Sequence, residues 1–128
     1  MSLIYPLAKV GMETAQIDIM GHPIRIALLS AVYIYNAVHQ FRSSLSGVIA
    51  LSSALVSKDN TNGVFRAADI VLPSVTNGFV VTQIVGYIDT GAAATDNLIW
   101  LEDGLSMRTN GADVTVHFDP GAYGIFAL

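Results

Sequence analysis

The chain has 128 residues, the length of one domain, and is 52% hydrophobic but only 12% charged, where an average globular chain is about 25% charged. This composition excludes intrinsic disorder, which needs low hydrophobicity and high charge. A net charge of −4 with six scattered basic residues argues against a nucleic-acid surface, which needs clustered Lys and Arg. The absence of cysteine leaves no disulfide framework, thiolate metal site or thiol nucleophile.

In chain order, Pro6 to Gln16 predicts a short N-terminal helix, because Pro is tolerated in a first turn. Ile17 to Met20 and Ile24 to Leu29 flank Gly21-His22-Pro23 and predict a hairpin. The most apolar stretch, Ile24 to Val38, is interrupted by Arg25, Ser30 and Asn36. It falls short of the ~20 apolar residues of a spanning helix, so no membrane partner is expected. The first residues carry no basic region ahead of the apolar ones, so no secretory signal is expected either. Tyr33 and Tyr35 alternate with Ile34, so an extended chain there puts both tyrosines on one face. Asn36 to Leu45 has Ala37, Phe41 and Leu45 at helical spacing, with Asn36 as a candidate N-cap.

Val48 to Val56 and Gly63 to Pro73 predict strands around the polar turn Ser57 to Asn62, with Pro73 marking a strand end or edge. Phe79 to Asp89 predicts a long strand and Asn97 to Glu102 a short one holding the single Trp. A loop of small residues, Thr90 to Asp96, joins them. Ala112 to Phe118 alternates cleanly, with Val114, Val116 and Phe118 directed to the core and Asp113, Thr115 and His117 directed away. Tyr123 to Leu128 predicts a final strand that adds Ile125 or Phe126 to that core. Turns fall at Asn62-Gly63, Asn77-Gly78, Asp103-Gly104, Asn110-Gly111 and Asp119-Pro120-Gly121, where Gly, Asn and Asp supply the positive φ of tight hairpins. Turn spacing and alternation together predict an all-β fold. It is expected to be an antiparallel β-sandwich, jelly-roll-like, of about eight strands with one or two short helices, in a single domain over 1–128.

Chemistry is sparse. His22, His39 and His117 have no metal-ligand spacing. Glu102-Asp103 abuts a turn glycine, and Ser43, Ser44, Ser46, Ser52 and Ser53 lie in no nucleophile elbow. Gly121 and Gly124 form no phosphate loop. Asp89 and Asp96 flank a loop that lacks the dense oxygens of a calcium site. No catalytic residue, cofactor or metal is therefore expected. The excess of apolar residues points instead to a protein interface, for which Tyr33, Tyr35 and Phe41 are the candidates, because tyrosine offers an apolar ring with a polar tip.

The second half also carries a resemblance. The stretches Asn62 to Ile70 (NGVFRAADI), Gly86 to Thr95 (GYIDTGAAAT), Thr109 to Val116 (TNGADVTV) and the ending Phe118 to Leu128 (FDPGAYGIFAL) resemble small virion structural proteins of tailed phages. The resemblance implies a capsid decoration, or cement, protein on the virion surface, made in the host cytoplasm. It further implies binding to the major capsid protein and self-association as a dimer or trimer. The chain departs from the family pattern at Ala31 to Val38, which is apolar where a polar loop is the rule. Two alternatives remain: a head–tail connector or tail-associated protein, and a carbohydrate-binding β-sandwich with Trp100 and Tyr123 as stacking platforms.

Overall fold

A computed structural model describes residues 2–61, 64–118 and 126–127. Its principal element is a five-stranded antiparallel sheet with strands in the order β1-β9-β8-β2-β3. These strands are β1 (Ser2–Ile4), β2 (Ile24–Leu29), β3 (Val48–Leu51), β8 (Gln83–Ile88) and β9 (Leu98–Glu102). The remaining strands are β4 (Asp59–Thr61), β5 (Val64–Arg66), β6 (Ile70–Leu72), β7 (Val80–Val81), β10 (Met107–Arg108), β11 (Val114–Val116) and β12 (Phe126–Ala127). They form one three-stranded sheet, β12-β5-β4, and two ribbons, β10-β7 and β11-β6. The all-β class expected from turn spacing is what forms.

The helix α1, Pro6–Glu13, starts where Pro6 fixes the first turn and Tyr5, extended, acts as N-cap residue. It stops a turn earlier than predicted, with Ala15 in the left-handed region. Ile17 to Met20 forms no strand. Asp18 Oδ1 accepts the N–H groups of Met20 and Gly21, and the Lys58 ammonium donates to the carbonyls of Ile19, Met20 and His22. A cation 36 or more residues away in sequence thus gathers this loop, and no hairpin with β2 results.

Several predicted runs are also shorter than expected. Phe79 to Asp89 splits at Thr82, whose N–H donates to Leu29 while its carbonyl accepts from Leu105. There the chain changes partner from β10 to β2. Asn36 to Leu45 is not a helix. One turn forms, with Asn36 accepting from Val38 and His39. The chain then extends, because Gln40 accepts from Leu98 and Phe41 bridges to Asn97. Only a short 3-10 turn, Arg42–Ser44, follows. Pairing to the start of β9 overrides a weak helical preference.

Register partners share a face. Ile4, Trp100, Gly86 and Ile26 line one face, and Leu3, Leu101, Val85, Ala27 and Leu51 line the other. Both faces are covered, so β2 and β9 are nearly continuous apolar runs of buried residues. This is the pattern of a strand enclosed on two sides. On the first face the Trp100 ring lies across Gly86 and meets Phe65 of β5 at a centroid distance of 6.1 Å. Gly86 leaves the space that ring occupies: a Cβ there would fall inside the Trp100 envelope. Outside the main sheet, Val114 is buried while Val116 and Phe118 pack partly against the core, and Asp113, Thr115 and His117 point out. That alternation follows the sequence. Ile125 lies outside the described residues, as do the turns at Asn62-Gly63 and Asp119 to Gly121. Gly78, Gly104 and Gly111 take the positive φ expected of their turns.

Gly86→Val should therefore destabilise the protein by about 3 kcal/mol or more, since overpacking a rigid core typically costs 1–3 kcal/mol and an indole cannot yield locally. Urea unfolding would measure the loss. Adding Trp100→Leu should recover part of it; no recovery would place the strain elsewhere.

Candidate interaction surface

Residues 30–47 connect β2 to β3, which are neighbours in the sheet. A hairpin needs two to five residues for such a link, so most of this segment is free to do something else. It runs over the face lined by Ala27, Val85 and Leu101. Gln83 Nε2 donates to the carbonyls of Ser30 and Tyr33 at 3.1 and 2.9 Å and fixes its start. The middle is fixed by a chain of three polar groups. Tyr5 and Tyr33 share a hydroxyl hydrogen bond of 2.7 Å, and Tyr33 Oη meets His39 Nδ1 at 2.8 Å. Burial, followed by the hydrogen bond to Tyr33, pushes the Tyr5 phenol far above its ordinary range, and burial also raises Tyr33. Both rings therefore stay neutral, as they must with so little water around them.

The far end is fixed by charge. Asp96 is fully buried. Its Oδ2 accepts from Arg42 Nε at 2.7 Å, and its Oδ1 accepts from the Thr90 N–H at 2.7 Å and hydroxyl at 2.8 Å. Burial pushes this carboxyl up. The Thr90 amide, the Arg42 guanidinium and the Thr90 hydroxyl outweigh it and hold the carboxyl below the ordinary aspartate value. The Arg42 guanidinium also lies 5.2 Å above the Tyr87 ring, a cation–π contact. Main-chain bonds from Arg42 to Asp96 and from Ser43 to Ala93 complete the join. Asp89, the other carboxylate considered as a cation ligand, faces Arg25 with 2.7 Å between Oδ2 and Nε. Each acid at the ends of the Thr90 to Asp96 loop is thus matched by an arginine.

Of the three candidate contact residues, Tyr33 is directed into the protein. Tyr33 is 3% exposed. Its hydroxyl has two partners inside the protein, so the ring offers no contact surface. Tyr35 is half-buried, its ring 5.4 Å from that of Tyr5, and Phe41 is half-buried at the bridge to Asn97. The residues between and beside them point outward instead: Val32, Ile34 and Val38 are 68%, 78% and 72% exposed. These are the most exposed large apolar side chains among the described residues. Sequence reasoning missed them because a β-branched apolar residue beside a tyrosine reads as the buried one of the pair.

The other candidates have local roles. His22 Nδ1 contacts the Asp18 carbonyl, and the exposed His117 pairs with Asp69 at 2.7 Å. Ser52 is buried, with its hydroxyl bonded to the Ile26 N–H and the Ser53 carbonyl. Trp100 is 1% exposed and presents no face to a sugar ring; Tyr123, Gly121 and Gly124 lie outside the described residues. Among the described residues no three His, Asp or Glu side chains are grouped to hold a metal ion, and no helix is long and apolar enough to cross a membrane. No family model, curated protein or solved structure matches the chain.

Asp96→Asn should destabilise the protein by about 2 kcal/mol, the scale of hydrogen bonds to charged groups, because it leaves Arg42 without its carboxylate. The depressed carboxyl also fixes a sign. Its contribution is complete above the unfolded aspartate pKa of about 3.9 and is lost as pH falls through the lower folded value. The wild type should lose stability across that acid window more steeply than Asp96→Asn, as thermal melts at stepped pH would show. Parallel curves would exclude Asp96 as a source of the acid sensitivity.

Proposed function

We propose that this chain is a non-catalytic virion protein of the decoration type, which attaches to the major capsid protein and reinforces contacts between capsomers. The observation that carries the reading is the outward row Val32, Ile34 and Val38 on a segment fixed at both ends. Exposed apolar side chains on a mobile loop lose ordering entropy on binding. On a segment already held by Gln83, Tyr5 and Asp96, that cost has been met during folding. The resemblance of the second half to small phage virion proteins points to the major capsid protein as the partner. A small clamp repeated over a shell multiplies a modest affinity per site.

The connector alternative differs in copy number, so band intensity relative to the major capsid protein separates the two. The carbohydrate alternative has lost Trp100 as a stacking platform. Particles assembled without the protein should release their DNA at a lower temperature than complete particles. A Val32→Ser, Ile34→Ser, Val38→Ser variant should keep its melting temperature within about 2 °C, since exposed substitutions are usually within 0.5 kcal/mol, yet fail to restore the particle. Equal DNA release with and without the protein would refute the cement role.

A further inference from the structure

The two edges of the five-stranded sheet are treated differently. β1, at one edge, has β12 close by. β3 ends the sheet on the other side with no strand beyond it among the described residues, and its Val48 and Leu51 are 44% and 43% exposed. Open edges are commonly guarded by Lys, Pro or a charge. Here Ser43 to Ser57 contains no charged residue and no proline.

The ladder direction shows what this edge offers. Ser52 N–H donates to the Ile26 carbonyl, so the Ser52 N–H turns toward β2 and the Leu51 carbonyl of the same peptide turns away, while the Ile26 N–H donates to the Ser52 hydroxyl. Alternate residues of an antiparallel ladder turn the same way, so Leu51, opposite Ala27, turns its N–H and C=O away from β2 toward the open side. An edge of this kind is complementary to another extended strand, and most simply to itself. A two-fold axis normal to the sheet sets Leu51 opposite the partner's Leu51, and each residue then supplies one donor and one acceptor. The absence of charge matters most on such an axis, where any charged residue would meet its own copy.

We propose that two copies of this chain associate through β3, antiparallel and centred on Leu51, to make one continuous ten-stranded sheet. The interface is main-chain pairing at the centre, with the half-exposed Leu51 and Val48 side chains covering it. Val32 lies against Gly47, the residue before β3, so the pairing sets the two apolar segments of residues 32–38 on one dimer, where they can engage two subunits. The proposal rests on the edge alone, not on the capsid reading: a monomer would refute it and leave the DNA-release test standing.

Sedimentation equilibrium of the full chain tests it. The wild type should sediment at twice the chain mass. Leu51→Lys sets two like charges at the axis and should sediment as a monomer with an unchanged circular dichroism spectrum. Leu51→Pro removes only the N–H that faces away from β2 and should also be monomeric; if it unfolds, Leu51→Lys decides. Val10→Lys, on the exposed side of α1, should remain a dimer. A monomeric wild type, or a dimer that survives Leu51→Lys, would overturn the proposal.

Discussion

A carboxylate without water must find donors, and in this protein that requirement shapes the long β2–β3 connection. Asp96 sits at the start of β9 with no exposed surface. The loop before it supplies Thr90, but neutral donors alone leave a buried charge uncompensated. The compensating charge comes from Arg42, 54 residues earlier in the chain. Bringing Arg42 there forces residues 30–47 across the sheet, and that path carries Tyr33 onto Tyr5, Gln40 onto Leu98 and the Arg42 guanidinium onto Tyr87. The cover over one face of the sheet is therefore a consequence of one ion pair and the amides around it.

The opposite face depends on shape rather than charge. Gly86 in the middle of β8 leaves the space that the Trp100 indole fills, and Phe65 closes the far side of the ring. The same pairing explains why the single tryptophan is a core residue and why a glycine is found inside a strand that otherwise favours large apolar residues. With one face closed by an aromatic layer and the other by the connecting segment, the strands between them need no polar outer side, which accounts for the low charge of the chain.

How much of this was legible in sequence depended on the range of the contacts. α1 follows from Pro6, and the in–out alternation of Val114, Thr115 and Val116 is visible in their order alone. Asn77-Gly78 and Asn110-Gly111 announce turns because left-handed backbone is a property of those residues themselves. The larger failures involve distant partners. Lys58 turns Ile17 to Met20 into a loop, Leu98 and Asn97 unwind the predicted helix at Gln40 and Phe41, and Tyr5 draws Tyr33 inward. The last matters most for the candidate surface. Period-2 alternation separates two faces but does not say which is wet, and a tyrosine goes inside when its hydroxyl finds a partner.

The central claim is that residues 30–47 form a prearranged contact surface, ordered before any partner arrives. Amide hydrogen exchange on the free protein and on the protein bound to particles addresses it directly. In the free protein, the amides of Arg42, Ser43 and Leu98, whose hydrogen bonds join this segment to residues 93–98, should exchange slowly. On particles, further protection should appear across residues 32–38. Rapid exchange of those three amides in the free protein, or no added protection of residues 32–38 on binding, would contradict the account.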